Sequence, residues 1–329
     1  MEIECDSLDT VLYRLYNAIK ESGVRNGGTR GETLEMLGVT LRIRKPRARL
    51  SRSENRGKPF SAIGELLWYL SGSDTLDFIQ EYVPAYRDDA VDGVIQGAYG
   101  PRLRRMRAGI DQFDSIERLL TEKPGSRRAV IQLFNAEDIA SDHKEIPCTT
   151  TLQFLMRGGK LHMSVTMRSN DAYWGLPHDV FCFTMIQEMM ARRLSADLGE
   201  YYQYVGSMHV YEKHLGHIDR YLHEGFQQTS EMPQMPEGNP FDLVEAFISI
   251  EDRLRRGEHL DAALETTDPY WADLIRLLQV FWARTFAADH PGRLTELRAQ
   301  LEAGFYRPYV EGRMHLIGRA ADTPGQQPT

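Results

Sequence analysis

Apolar side chains at Leu8, Leu12, Leu15, Tyr16 and Ile19 fall at helical spacing and predict an amphipathic helix over residues 8–22. A Gly-rich turn follows at Arg25-Asn26-Gly27-Gly28-Thr29-Arg30-Gly31, then a strand-like stretch from Met36 to Ile43. Phe60 to Leu70 reads as a strongly apolar helix in which one acid, Glu65, stands among Ile63, Leu66, Leu67 and Trp68. Ala129–Phe134 has the composition of a buried strand. Thr149–Met156 and Lys160–Met167 both favour strand, and Arg157-Gly158-Gly159 between them predicts a hairpin. Val180 to Leu194 reads as a long apolar helix. From Phe241 the rhythm is helical, in Phe241–Arg255, Tyr270–Phe286 and Leu294–Phe305. Residues 320–329 are polar with two prolines and read as a disordered tail. No internal repeat interrupts this order. The pattern therefore predicts one α+β domain over 1–235, a helical extension over 236–319 packed on the same domain, and the tail 320–329.

Composition narrows the class. With 42% hydrophobic and 26% charged residues the chain has the balance of a globular protein with a packed core. No apolar run approaches the roughly 20 residues that a bilayer-spanning helix needs, so no membrane partner is expected. The N-terminal Met1-Glu2-Ile3-Glu4-Cys5 lacks the basic-then-apolar layout of a signal peptide. The three cysteines, Cys5, Cys148 and Cys182, have no metal-ligand spacing, so no metal is expected and free thiols in a reducing cytoplasm fit best. A net charge of −8 does not attract polyanions, and no nucleic-acid partner is expected. Basic charge is nonetheless concentrated at Arg42, Arg44, Lys45, Arg47, Arg49, Arg52, Arg56 and Lys58. Such a run is ordinarily a solvated surface and otherwise a phosphate or partner site.

Candidate chemistry starts at Pro147-Cys148-Thr149. A lone cysteine in apolar surroundings is ordinarily a packing residue. As a nucleophile it needs groups that favour the thiolate, and Arg168-Ser169 and Arg127-Arg128 are the available cations. Glu65 is the second candidate, because a buried carboxylate is costly unless paired or neutralised. His209 and Tyr211, two apart, share one face of a strand, where such a pair is otherwise core.

Together these segments resemble the thymidylate synthases. Ile146-Pro147-Cys148-Thr149-Thr150-Thr151-Leu152-Gln153-Phe154 is similar to the family's active-site segment. Arg168-Ser169-Asn170-Asp171, Gly175-Leu176-Pro177-His178-Asp179 and Gly206-Ser207-Met208-His209-Val210-Tyr211 follow at the family's spacing. Upstream, Glu65-Leu66-Leu67-Trp68-Tyr69-Leu70, Tyr99-Gly100 and Ser126-Arg127-Arg128 occur in the family's order. The resemblance implies a mixed β-sheet packed by helices, in a homodimer formed through the sheet. It implies that Cys148 adds to C6 of a pyrimidine nucleotide and so activates C5 toward 5,10-methylenetetrahydrofolate. Arg168 and Ser169 would hold the nucleotide phosphate, and Arg127 and Arg128 would cross to the phosphate of the neighbouring subunit. Glu65 would organise water and move protons, and His209 and Tyr211 would grip the sugar. Asp171 and Tyr99 would belong to the folate site. The Gly-rich turn should add one phosphate-binding arginine, for which Arg25 and Arg30 both qualify.

The departures from the family carry the specificity. Thymidylate synthases place asparagine where this chain has Asp179; an amide matches the N3–H and O4 edge of uracil. A carboxyl group matches cytosine instead: protonated, it donates to N3 and accepts from the 4-amino group; ionised, it accepts from a protonated N3 and from the 4-amino group. His178 replaces the family's usual phenylalanine and would add a polar group beside the base, and Thr149 replaces a histidine. The tryptophans expected over folate around residues 85–88 are missing, with Tyr82 and Tyr86 the nearest aromatics, and the closing C-terminal tail has no counterpart. These features resemble the cytidylate 5-hydroxymethylases of the superfamily, acting on CMP or dCMP. The Arg-rich composition and the extension are similar to those of CMP hydroxymethylases from nucleoside-antibiotic pathways such as that of mildiomycin. The rival expectations are a dUMP methylase with an unusual Asp179, and a non-catalytic nucleotide- or RNA-binding regulator.

Overall fold

The computed structural model of the chain describes residues 1–28, 31–53, 59–107, 109–140, 142–286 and 290–322. Arg30, Arg56, Lys58 and the tail positions 323–329 therefore lie outside the described residues. Strands β1 (Glu2–Cys5), β2 (Val24–Gly28), β3 (Gly31–Ile43), β4 (Val130–Gln132), β5 (Thr149–Arg157), β6 (Lys160–Asp171) and β7 (Asp197–Tyr211) form one sheet. Its order is β1-β3-β7-β6-β5-β4, with β2 paired to β3. β1 is parallel to β3 and β6 to β7; the remaining pairs are antiparallel, so the sheet is mixed as expected.

The first part of the chain also supplies helices α1 (Leu8–Ser22), α2 (Pro59–Ser71), α3 (Leu76–Ile79), α4 (Tyr99–Arg104), α5 (Gln112–Glu122), α6 (Glu137–Ala140), α7 (Gly175–Arg193) and α8 (Leu215–Glu224). Period-2 alternation decides which sheet face they cover. On β6, Leu161, Met163, Val165 and Met167 are buried, while His162, Ser164 and Thr166 are partly exposed. On β7, Tyr201, Gln203 and Val205 are buried and Tyr204 is exposed. α1 packs on β1 and β3, and α7 on β6 and β7, against that apolar side. The expected Gly-rich turn is instead the β2–β3 hairpin, with Arg25 inside a strand opposite Leu34.

The extension contains α9 (Val244–Arg255), α10 (Ala262–Glu265), α11 (Pro269–Phe286), α12 (His290–Gln300) and α13 (Arg307–Asp322), so helix continues into the first tail positions. α9 and α11 pack on α2. Tyr82 joins them: its hydroxyl donates to Glu251 at 2.8 Å and accepts from the Trp282 indole at 3.0 Å. Its ring stacks on Phe281 at 4.5 Å between centroids and fills the space beside Gly64, where a Cβ would lie 2.2 Å from the ring. Tyr82 is thereby committed to the core of the extension.

Over its described part the basic stretch is partly a solvated face, at Arg44 and Lys45, and partly a set of ion pairs that tie elements together. Arg42 pairs with Glu200 and Glu4, Arg44 with Glu4 and Asp6, and Arg47 with Glu231. Arg49 is fully buried against Glu188, which also accepts from the Met235 amide. These arginines tie the end of β3 to β1, β7, α7 and the segment leading to the extension. Among the described residues no helix is long and apolar enough to cross a membrane.

Candidate active site

The strand ends bring the predicted residues together. Thr149 opposite Met167 in the β5–β6 ladder places Cys148 beside Arg168, whose backbone N–H donates to the Cys148 carbonyl at 2.9 Å. The Arg168 side chain folds over the same segment, donating to the carbonyls of Pro147 at 2.9 Å and Ile146 at 3.1 Å. Its Nη2 lies 3.7 Å from Cys148 Sγ. A guanidinium fixed by two carbonyls thus faces a partly exposed thiol, and a cation in that place favours the anionic nucleophile. Cys5 and Cys182 are free but buried.

The residue after the nucleophile is held as tightly. Thr149 is fully buried; Tyr99 on α4 donates its hydroxyl to Thr149 Oγ1 at 2.9 Å and accepts from the Thr149 N–H at 3.0 Å. Tyr99 is the residue expected at the folate site; its hydroxyl is bonded to both the side chain and the backbone N–H of Thr149, next to Cys148.

Two carboxyl groups lie in opposite electrostatic settings, and one of them, Asp179, shares Tyr99 as an electrostatic neighbour with Cys148. Glu65, buried on α2, accepts at Oε1 from Tyr69 (3.1 Å) and Tyr86 (3.0 Å), while its Oε2 lies 2.6 Å from His178 Nδ1. The other ring nitrogen of His178 is 3.2 Å from Ser61 Oγ, so Glu65, His178 and Ser61 form a chain between α2 and α7. Burial by itself pushes the Glu65 carboxyl up, but the hydrogen bond and charge of His178, helped by the two tyrosine hydroxyls, hold it below the usual glutamate range. Asp179, the next residue on α7, behaves in the reverse way. Burial and the Glu65 charge push its carboxyl well above the usual range, with Asp171 adding to them and a hydrogen bond from Asn170 offsetting only part. Asp179 keeps some solvent access in its recess, yet faces carboxylates on two sides. Gly175 makes room for this corner, because a Cβ there would come 2.8 Å from Asn170 Oδ1 and 3.4 Å from Asp179 Oδ2.

The ends of β6 and β7 add the remaining polar groups. The parallel register sets Asp171 beside His209, and Ser169 Oγ lies 3.5 Å from His209 Nδ1. The rings of His209 and Tyr211 meet edge to face at 5.3 Å. Asp171 Oδ1 accepts the amides of Tyr173 (2.8 Å) and Trp174 (3.2 Å), which fixes the carboxylate beside the exposed Trp174 ring. Arg25 is exposed and paired at 3.1 Å with Glu212, the residue after Tyr211. Arg127 and Arg128 are exposed on the loop before β4, away from Cys148. The Phe154 amide donates to Ala129, which puts this loop about six residues along β5 from Cys148, or roughly 20 Å at about 3.4 Å per residue.

Three members of the site escaped the sequence reading. Ser61 and Tyr69 stand four residues either side of Glu65, a polar stripe on an apolar helix that i, i+4 spacing exposes once Glu65 is singled out. Asn170 had a weaker signal, since only the fold turns it toward Asp179. Among the described residues no group of three His, Cys, Asp or Glu side chains could hold a metal ion.

Known proteins share this arrangement of segments. The deoxyuridylate hydroxymethyltransferase of Bacillus phage SP01 is 33% identical over 216 residues, covering 60% of this chain and 56% of the phage protein. This chain thus spans little more than half the length of that relative. The thymidylate synthase of Bacillus subtilis subsp. natto is 28% identical over 249 residues, 69% of this chain and 88% of that enzyme. The thymidylate synthase of Francisella tularensis subsp. holarctica is 28% identical over 220 residues, 62% of this chain and 80% of its own. The thymidylate synthase family model matches residues 13–246, which include Glu65, Cys148, Arg168, Asp179 and His209 and stop just inside α9. With more than half of the chain matched and the thiol, guanidinium and carboxylates gathered at one set of strand ends, the chain belongs to the thymidylate synthase family.

Proposed function

We propose that the chain is a cytidylate 5-hydroxymethylase that transfers a one-carbon unit to C5 of CMP or dCMP, followed by hydration. The observation that carries this reading is Asp179. Burial and the Glu65 charge push this carboxyl well above its ordinary range, which favours a proton held between the carboxyl and the base. The cytosine pair holds one proton between the carboxyl and N3 and leaves the second oxygen to accept from the 4-amino group, whereas a carboxylate accepting from uracil N3–H sets its second oxygen against O4, acceptor against acceptor. Each buried mispairing costs about 1–3 kcal/mol, enough to set a preference between the bases.

In this reading Cys148 adds through sulfur to C6 of the ring, with Arg168 stabilising the thiolate before attack. Arg168, Ser169 and Arg25 bind the phosphate, and His209 and Tyr211 bind the sugar. Glu65 holds or passes a proton beside the base. Methylenetetrahydrofolate supplies the one-carbon unit throughout the family. Asp171 suits the donor-rich pterin of such a molecule, because Oδ1 is anchored by two amides and Oδ2 has no hydrogen bond among the described residues. The aromatic platform is less complete, since Tyr82 serves the extension and the Tyr86 hydroxyl serves Glu65. Arg127 and Arg128 reach a phosphate in the partner's site, for which their distance from Cys148 within one subunit and the partly exposed sheet face both argue. The protein would then act as a homodimer.

A second reading, transfer to dUMP by methylation or hydroxymethylation, is favoured by the activities in the relatives' names. Incubation with CMP, dCMP, UMP and dUMP plus methylenetetrahydrofolate, with products read by mass, separates them. A gain of CH2O on a cytidylate is expected. A gain of CH2 on dUMP, with the absorbance rise of dihydrofolate, would refute the proposal.

A further inference from the structure

We propose that Trp174 is the aromatic wall of the folate site, the face on which a ring of methylenetetrahydrofolate stacks beside Asp171. This rests on the reading of Asp171 as the carboxylate that holds the pterin. The tryptophans expected over folate around residues 85–88 are missing, and the nearest aromatics are occupied. Tyr82 is buried against Glu251 and Trp282, and the Tyr86 hydroxyl is bonded to Glu65. Of the chain's four tryptophans, Trp68 and Trp282 are buried and Trp271 is half-buried in the extension. Trp174 is 45% exposed, between the end of β6 and the start of α7.

A single exposed apolar side chain is ordinary on a protein surface. Trp174 differs because its two N–H groups are bonded in a way that fixes the ring. The backbone N–H donates to Asp171 Oδ1 at 3.2 Å, and the indole Nε1–H donates to His214 Nε2 at 2.9 Å. His214 is held in turn, its ring stacked on Tyr173 at 5.1 Å between centroids, and the Tyr173 amide donates to the same Asp171 oxygen. The indole stands edge-on to both rings, 5.8 Å from His214 and 5.5 Å from Tyr173. One carboxylate therefore anchors the segment that presents the indole, while its Oδ2 accepts no hydrogen bond among the described residues. A ligand that meets both groups must be flat and aromatic and must carry N–H donors on an edge. The rings of a folate answer that description. An indole fixed beforehand, with its N–H already satisfied inside the protein, loses little freedom and no hydrogen bond when a ring stacks on it. Its place agrees with the chemistry: Asp171 lies three residues beyond Arg168, which faces Cys148, and Trp174 precedes the helix that carries Asp179.

The test measures the KM for methylenetetrahydrofolate in turnover and the Kd for the nucleotide by calorimetry, in the wild type, Trp174→Ala, Trp174→Phe and Asp171→Asn. The nucleotide is whichever of CMP, dCMP, UMP and dUMP the wild type converts, so the base preference does not enter. W174A should raise the folate KM roughly tenfold, the size of one aromatic stacking contact, and leave the nucleotide Kd within about twofold of the wild type. W174F keeps an aromatic face and should recover most of the loss. A folate KM unchanged in W174A overturns the proposal. So does an equal loss for folate and nucleotide in both Trp174 variants, which is what a merely structural role would produce. D171N reads the carboxylate separately, because its amide oxygen can still accept the two backbone N–H groups while its nitrogen opposes the donors of a pterin. A loss in D171N with none in W174A refutes the stacking alone. A loss in W174A with none in D171N supports the stacking and refutes the pterin contact alone. A wild type that converts none of the four nucleotides with this folate refutes the donor reading and the proposal together.

Discussion

The bond between Tyr99 and Thr149 offers a direct measure of how firmly the nucleophile is held. Tyr99→Phe keeps the ring and removes one oxygen that makes two hydrogen bonds, to Thr149 Oγ1 at 2.9 Å and from its N–H at 3.0 Å. Both groups sit where water does not reach, Thr149 being fully buried and Tyr99 9% exposed. An orphaned buried polar group costs about 1–3 kcal/mol, so losing both partners should destabilise the protein by about 2–4 kcal/mol, the Thr149 hydroxyl being free to turn elsewhere. Thr149→Val removes only the acceptor of the Tyr99 proton and leaves the N–H paired, so about 1–2 kcal/mol is expected. The double variant should cost less than the sum, because the introduced valine has no hydroxyl to orphan. Urea unfolding gives these differences from midpoints at constant slope. Iodoacetamide labelling of Cys148, followed by mass, reports whether the neighbouring thiol has moved relative to Arg168. If Y99F unfolds within about 0.5 kcal/mol of the wild type and labels at the same rate, the Tyr99 bond does not position the nucleophile.

Asp179→Asn should shift preference from cytidylate toward uridylate by about 10- to 100-fold in kcat/KM, read in paired substrate assays, with unchanged cytosine preference refuting the hydrogen-bond argument. Arg168→Lys keeps the charge but cannot span the carbonyls of Ile146 and Pro147 while facing Cys148, so kcat/KM should fall at least about 100-fold and thiol labelling should slow. Gly64→Val forces side-chain atoms into the Tyr82 ring and should cost about 1–3 kcal/mol in urea unfolding, together with a loss of activity through the shifted α2 helix.

Much of the fold was legible because its signals are local. The Arg157-Gly158-Gly159 hairpin is present, with Gly158 and Gly159 at positive φ where the turn needs them. The helices around Glu65 and after Pro177 appear within a few residues of expectation. The parallel pairs β1–β3 and β6–β7 were not legible, since partners more than thirty residues apart leave no periodic trace. The ion pairs of the basic stretch were hidden for a related reason: their acidic partners Glu4, Glu188, Glu200 and Glu231 are scattered along the chain, so only one half of each pair shows in the local sequence. At the site, Cys148 and Arg168 could be named but not joined. His178 was assigned to the base, whereas its ring is turned to Glu65 and Ser61.

The helical extension bears on the same chemistry. Glu65 lies on the side of α2 that meets α7, while α9 and α11 pack against α2 where the family match ends. Tyr82 locks that packing, seated beside Gly64 and hydrogen-bonded to Glu251 on α9 and Trp282 on α11. The residue next in sequence to Gly64 is the carboxylate bonded to Tyr69, Tyr86 and His178. Those bonds span 2.6 to 3.1 Å and weaken steeply with misalignment, so a helix free to slide by an ångström would lose the contrast between Glu65 and Asp179. Cys148 can act with either base, as it requires only Arg168 beside it. In the proposed reading, discrimination between bases depends on α2 and α7 holding fixed positions, and α9 and α11, which lie almost wholly beyond the family match, pack on α2.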